Sequence, residues 1–329
     1  MHAHLDRYAC RLSLRELYTF WMLPLFAEPN SEPSQKVLCC GSHQNGFPIH
    51  SSHHPIARIH TSIAVFSKNA TAGCLPSPTK RKEYNQTMND IRFPKSVIVT
   101  DQPVDCTHMS KPKQAFVIEF TKNILDEFAR SGAKRKIYGI VGPSGSGKTF
   151  LSILAKEIGH DINRHVDIAP VSIDAFHFSN QFLSSTKVGG KVLKDVKGRY
   201  DTYDIPALVK LLEEFRRGGA VRFPEYSRKT HEPIQDAIAV NDRPTILLLE
   251  GLWLLYDKAG WAEVNPLLDS TFYIDDVAEE SRSYTLLRHM FGGKSDVEAN
   301  RYYEESDAKN RDLVVQTKQL ADEILRWPK

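Results

Sequence analysis

Eight consecutive residues constrain this chain more than any other part of it: Gly142-Pro143-Ser144-Gly145-Ser146-Gly147-Lys148-Thr149. They follow a short apolar run, Ile137-Tyr138-Gly139-Ile140-Val141, that reads as a buried strand. They precede a segment at 150–158 in which Leu151, Leu154, Ala155 and Ile158 recur at helical spacing. A strand, a glycine-rich turn of this spelling and a helix, in that order, make a phosphate-binding loop. The glycines let the backbone curl so that successive N–H groups converge on phosphate oxygens, and the helix adds the positive end of its dipole. Lys148 reaches the β- and γ-phosphates, and the Thr149 hydroxyl is placed for Mg²⁺. The expectation is a nucleoside triphosphate held by all of Gly142, Pro143, Ser144, Gly145, Ser146, Gly147, Lys148 and Thr149. The loop alone does not separate a kinase from an ATPase or a GTPase.

The residues around the loop extend the pattern. Further apolar runs at 169–173, 245–249 and 270–274 read as strands. Helical spacing covers 115–131, 204–217, 278–291, 296–308 and 312–325, with Asp204 as an N-cap and Gly132 as a stop. Strands that are apolar throughout, alternating with helices, imply an α/β fold: a parallel sheet covered by helices on both faces. Ligands in such sheets sit beyond the carboxyl ends of the strands. Asp174 and Glu250 each end an apolar run, so both are candidates to hold Mg²⁺ or its water, or to accept a proton from an attacking hydroxyl.

The first third reads differently. Residues 27–110 are rich in Pro, Ser, His, Asn and Thr. Such a stretch buries too little apolar surface to offset the entropy of ordering it, so 1–110 is expected to be a largely disordered extension and 111–329 the folded domain. All five cysteines lie within the first 106 residues, which leaves the expected domain without thiol chemistry. The cluster Cys39-Cys40-Gly41-Ser42-His43 fits no tetrahedral zinc spacing. A net charge of +3, from 43 basic and 40 acidic residues, excludes a dedicated polycationic nucleic-acid binder. No run approaches the roughly 18 apolar residues of a membrane span. The expected location is the cytoplasm. Arg7, Arg11 and Arg15 at four-residue spacing give a mitochondrial presequence as the alternative.

Beyond the loop, an ordered set of short motifs resembles the phosphoribulokinase/uridine kinase family, in its branch near bacterial pantothenate kinase and the fructose-transport-associated kinases. The resemblance spans about 115–325. It rests on the phosphate loop; on Asp174-Ala175-Phe176-His177 with Asn180; and on Lys197-Gly198 leading to Thr202-Tyr203-Asp204. It continues in Phe223-Pro224-Glu225-Tyr226-Ser227-Arg228 with His231 and Pro233, in Glu250-Gly251, in Arg288-His289 with Gly292, and in Asp307 with Asn310. The resemblance implies a P-loop fold with a helical lid and ATP-dependent phosphorylation of a hydroxyl on a small molecule, with Mg²⁺. It implies Asp174 as general base, and Lys148, Glu250 and the lid arginine Arg288 (Arg282 being a second candidate) as the rest of the catalytic set. Thr149, Asp174 and Glu250 would serve the metal. His177, Tyr226, Arg228 and His231 would contact the acceptor, of nucleoside, pantothenate-like or sugar type. A homodimer is compatible with it.

Departures fall in the acceptor segments. Leu252 follows Glu250-Gly251 where many relatives have Asn, Ser227 stands where many have Asp, and Arg199-Tyr200-Asp201-Thr202 replaces the usual approach to Tyr203. They leave the acceptor open. Two other readings stand beside the kinase: a P-loop NTPase acting as a switch or motor, and a nucleotide-binding regulator with reduced catalysis. The chain has no Asn-Lys-x-Asp segment for guanine and no Leu-Ser-Gly-Gly-Gln-like segment of a transporter ATPase.

Overall fold

The computed structural model describes residues 91–329. A hairpin comes first, β1 (Ser96–Val99) against β2 (Gln102–Asp105), turning at Thr100 and Asp101, both at positive φ as tight primed turns require. Helix α1 (Lys111–Ser131) stops at Gly132 in the left-handed region. Strand β3 (Arg135–Val141) leads through the phosphate loop into α2 (Lys148–Ile162). Next come β4 (Asp167–Ser172), a 3₁₀ turn at Ile173–Phe176, α3 (Asn180–Ser185) and a small hairpin, β5 (Lys187–Val188) with β6 (Lys191–Val192). Helix α4 (Ile205–Arg217) is capped by the Asp204 carboxylate, which accepts from the Ala207 N–H at 3.1 Å. An antiparallel pair, β7 (Val221–Ser227) and β8 (Glu232–Val240), precedes β9 (Thr245–Gly251) and β10 (Ser270–Ile274). The chain then runs through α5 (Ala278–Phe291), α6 (Asp296–Tyr302), a π-helical turn at Tyr303–Asp307, α7 (Ala308–Gln316) and β11 (Glu323–Leu325).

Five strands form one sheet in the order β11-β10-β3-β9-β4, every neighbour parallel. Side chains alternate across it. Tyr138, Ile140, Ile246, Leu248, Phe272 and Ile274 pack with α1 and α2, while Ile137, Val141, Leu247, Leu249 and Tyr273 pack with α4, Trp253 and Trp261. Both faces are buried, which is why these strands show no polar alternation in the sequence. Pro170, which cannot donate to a ladder, is tolerated because β4 is an outer strand paired only with β9. The expected α/β P-loop fold with two covered faces is present.

Three expectations need correction. Ordered structure does not start at 111: Val97, Val104, Cys106 and Met109 join the same buried cluster as Val117 and Leu151. A few apolar residues suffice to cover an existing helix face, and a composition averaged over a long polar stretch hides them. Cys106 therefore belongs to the folded domain, and its thiol is pushed up to about 11, chiefly by burial. The helix expected at 312–325 gives way to α7 and the edge strand β11. There the Asp322 carboxylate accepts from the Thr271 N–H at 2.8 Å and its hydroxyl at 2.7 Å, drawing the chain onto β10. The helix expected at 296–308 is α6 followed by the π turn. The arginines of the alternative presequence reading, the Cys39–His43 cluster and the other expectations for residues before 91 lie outside the described residues.

Candidate active site

The phosphate loop sits at the carboxyl end of β3, in the middle of the sheet. Gly145 has φ +79, and a Cβ there would lie 2.2 Å from the Ser281 carbonyl oxygen of α5, so only glycine lets loop and helix approach this closely. Lys148 opens α2, and its buried ammonium donates to the Pro143 carbonyl at 2.8 Å, drawing the two ends of the loop together. Burial lowers its pKa to about 8, with Arg288 acting in the same direction and Glu250, Asp174 and Asp276 opposing. The Ser146 hydroxyl is buried without a partner, and the Ser146 carbonyl accepts from the Trp327 indole at 3.0 Å.

Glu250 lies on β9, opposite Ile140 of β3 on one side and Ser172 of β4 on the other. It is 4% exposed and accepts from the Thr149 hydroxyl at 2.9 Å. Burial raises its pKa; Lys148 opposes this, and Asp174 adds to it. Gly251 leaves space for the next turn of chain: a Cβ there would stand 2.4 Å from Ile173. That space seats the 3₁₀ turn carrying Asp174 against β9. Asp174 is thus two residues past the end of β4, in a turn whose Asp174 N–H is held by the Ser172 hydroxyl at 3.2 Å.

Asp174 faces Arg228 at 3.5 Å and the Tyr203 hydroxyl at 3.4 Å. Burial opposes its ionisation, but His177, Arg228, Arg288 and Lys148 outweigh that and hold its pKa below the ordinary value. His177 Nδ1 lies 2.9 Å from the Asp174 carbonyl oxygen, and its ring stacks on Tyr203 with centroids 4.0 Å apart. Burial brings the imidazole down to about 4, so at neutral pH the carboxylate is ionised and the imidazole neutral. From α5, Arg288 donates to the Ser144 hydroxyl at 3.2 Å and stands 3.8 Å from Asp307, which also meets His289 at 2.7 Å. Arg282 turns elsewhere, to Asn300 at 2.9 Å and Glu304 at 3.1 Å.

A cavity of about 340 Å³ opens between these groups. Asp174, His177, Tyr226, Arg228, His231 and Arg288 all line it, together with Ser144 of the phosphate loop. The four residues expected to contact the acceptor are therefore brought together, from three separate elements. His231, at φ +54, turns its carbonyl to the Lys197 ammonium at 2.6 Å and the Asn180 side chain at 3.1 Å. A larger groove of about 1140 Å³, beside β1, α2 and β8, reaches Thr149 and Glu250 but neither Asp174 nor Arg288. Sequence reasoning passed over Lys194, Lys294 and Tyr302 in the cavity wall. Tyr302 donates to the Lys197 carbonyl at 2.7 Å, a contact across 105 residues that no local pattern signals. Among the described residues, no group of three or more His, Cys, Asp or Glu is placed to hold a metal ion. A Mg²⁺ bound mainly through phosphates and water needs only one or two carboxylates. No described helix is long and apolar enough to cross a membrane.

Comparison with known proteins adds the following. The family model described as "Phosphoribulokinase / Uridine kinase family" matches residues 137–321. The uncharacterized protein YggC of Escherichia coli is 26% identical over 192 residues, which cover 58% of this chain and 78% of that protein. A uridine kinase of Lactobacillus helveticus is 28% identical over 197 residues, covering 58% of this chain and 86% of that protein. The crystal structure of a candidate fructose transport system kinase from Silicibacter sp. TM1040 superposes with a TM-score of 0.56 at 21% identity, covering 64% of this chain and 98% of that one, which is a likeness of fold.

Proposed function

This chain belongs to the phosphoribulokinase/uridine kinase family of P-loop kinases, and we propose that it transfers a phosphoryl group from ATP to a hydroxyl of a small metabolite. One observation carries the reading. An ionised carboxylate, Asp174, opens onto the same cavity as the phosphate loop residue Ser144 and the cation Arg288. A group that takes a proton and a group that steadies phosphate charge thus share one small space.

The residues present fit ATP and Mg²⁺. The loop crowds out any Cβ at Gly145, the Ser146 hydroxyl is buried without a partner among the described residues, and the Lys148 ammonium donates to a carbonyl. Gly142 through Thr149 would hold the phosphates, and Thr149, Glu250 and Asp174 would serve Mg²⁺ and its water. Bound ATP·Mg²⁺ supplies an electrophilic phosphorus and a neutralised leaving group. Asp174 accepts the proton of the acceptor hydroxyl as its oxygen bonds to phosphorus and the bond to ADP breaks. Lys148 and Arg288 offset the negative charge spread over the phosphoryl oxygens. Glu250 holds the Thr149 hydroxyl in place. His177, Tyr226, Arg228 and His231 wall the acceptor and keep water from competing with it.

The test uses the full chain with γ-labelled ATP, Mg²⁺ and a protein-free cell extract. The expected result is label transfer that depends on the extract and is lost in Asp174→Ala, while ATP binding persists. Tight ATP binding with no transfer to any extract component would overturn the kinase reading in favour of a nucleotide-binding regulator.

A further inference from the structure

Resting on the kinase reading, we infer that the acceptor bears an oxyanion, a carboxylate or a phosphate ester, alongside the hydroxyl that is phosphorylated. The charge around the cavity carries this. Set aside Lys148 and Arg288, which belong to the phosphate loop side. Four cations still line the wall: Lys194, Lys197, Arg228 and Lys294. They face two lining carboxylates, Asp174 and Asp307. Asp307 is already engaged by His289 at 2.7 Å and Arg288 at 3.8 Å. Asp174 has only a loose pairing with Arg228, at 3.5 Å.

Among the described residues, Lys197, Arg228 and Lys294 are fixed by carbonyl, amide and ring contacts, and their one ion pair is the 3.5 Å contact of Arg228 with Asp174. Lys197 donates to two uncharged acceptors, the Asn180 side-chain oxygen at 2.9 Å and the His231 carbonyl at 2.6 Å, and stands over the Tyr226 ring at 5.3 Å. Glu232, which also acts on Lys197, is not part of the cavity wall and accepts from the Asn180 N–H at 2.8 Å. Lys294 stands over the Tyr302 ring at 4.8 Å. Arg228 lies over Tyr226 at 5.8 Å, and its buried Nε has no partner. A cation taken partly out of water is costly unless an opposite charge meets it. A neutral acceptor would displace water from these groups and give nothing in return. An oxyanion meets them with charge-assisted hydrogen bonds, and the fixed Lys197 and Arg228 would orient it, so that the hydroxyl is presented to Asp174. Two excess positive charges at short range are the signature of a binding wall for an anion, and they also disfavour a nucleoside or other neutral polyol of the same size.

The test splits a protein-free cell extract on an anion-exchange resin and assays each fraction with the full chain and γ-labelled ATP. The inference expects the phosphate-accepting material in the resin-bound fraction. Acceptor in the unbound fraction alone overturns the inference and leaves the kinase reading standing. Label transfer to neither fraction overturns the kinase reading and the inference with it. Treating the bound fraction with alkaline phosphatase, then removing it before assay, separates the two oxyanions: a phosphate ester loses its accepting activity and a carboxylate keeps it. In Lys294→Gln and Lys197→Gln, the KM for the bound-fraction acceptor is expected to rise at least tenfold with the KM for ATP unchanged. A rise in the KM for ATP of the same size, in a variant that keeps the wild-type circular dichroism, assigns these lysines to the nucleotide and overturns the inference.

Discussion

The phosphate loop and the proposed acceptor cavity meet at Ser144 and Arg288, yet the chain builds them by opposite means. The loop takes eight neighbouring residues and hangs them between a central strand and the helix that follows it. Its shape is a property of local backbone. The cavity takes its wall from the turn after β4, the segments around Lys197 and Arg228, the end of α5 and the π turn before α7. It is tied together by a few long-range bonds: Tyr302 to the Lys197 carbonyl, Lys197 and Asn180 to the His231 carbonyl, and the Asp101 carboxylate accepting from the Arg228 N–H at 3.2 Å. The difference teaches where change is tolerated. A local motif has one task, and damage within it removes that task. A wall assembled from distant segments can alter what it accepts by small shifts in any of them.

The largest expected effect lies on the loop side. Lys148→Ala should lower turnover by about three orders of magnitude or more, because no other group can replace a buried cation at the phosphates. Single-turnover kinetics would measure it. Asp174→Asn should lower kcat by about 10²–10⁴ while the Kd for ATP stays within about twofold, as read by calorimetry. An equal loss of ATP affinity would erase the proposed separation between the two regions. The pH dependence sharpens it further. Free Lys148, with its pKa lowered to about 8, is charged below that pH and neutral above it. ATP affinity should therefore be flat below about pH 8 and weaken with rising pH, by up to about tenfold per unit, since one pKa unit corresponds to about 1.4 kcal/mol. The pKa of Asp174 is lowered as well, which for a carboxylate keeps it ionised through neutrality, so no acid limb is expected from it near pH 6. The smallest effect is expected at Asp101→Ala, where loss of the brace on Arg228 should raise the acceptor KM by a factor of roughly three to ten, about the worth of one ordinary hydrogen bond. The KM for ATP should not move.

The same contrast decides how much could be read in advance. The phosphate loop, Asp174 and Glu250 follow from short rules, because a strand that is apolar to its end and then turns acidic is a local event. Lys148, Thr149 and Glu250 come together because parallel β3 and β9 bring their carboxyl ends side by side. The proposed acceptor residues His177, Tyr226, Arg228 and His231 come from resemblance, and nothing in their own spacing places them around one cavity. Lys194, Lys294 and Tyr302 were missed because a lysine on a surface and a lysine on a cavity wall look alike until the chain is folded. The hairpin at Ser96–Asp105 and the strand Glu323–Leu325 escaped for a related reason. Each is three or four residues per strand, too short for a period to show, and each is held by tertiary pairing: Cys106 and Val97 in the core, Asp322 on Thr271. Pairing of that kind overrides local propensity.

Trp327 gives the molecule an optical handle. Its indole donates to the Ser146 carbonyl at 3.0 Å, and its ring packs between Phe116 and Phe150 against Gly147 of the loop. Emission from an indole responds to nearby charge, and phosphate held by the loop would bring negative charge to the backbone that Trp327 touches. The fully buried Trp253 and Trp261 contribute a steadier background. Nucleotide occupancy can thus be followed by ultraviolet fluorescence of the unlabelled protein, with Trp327→Phe as the dark control.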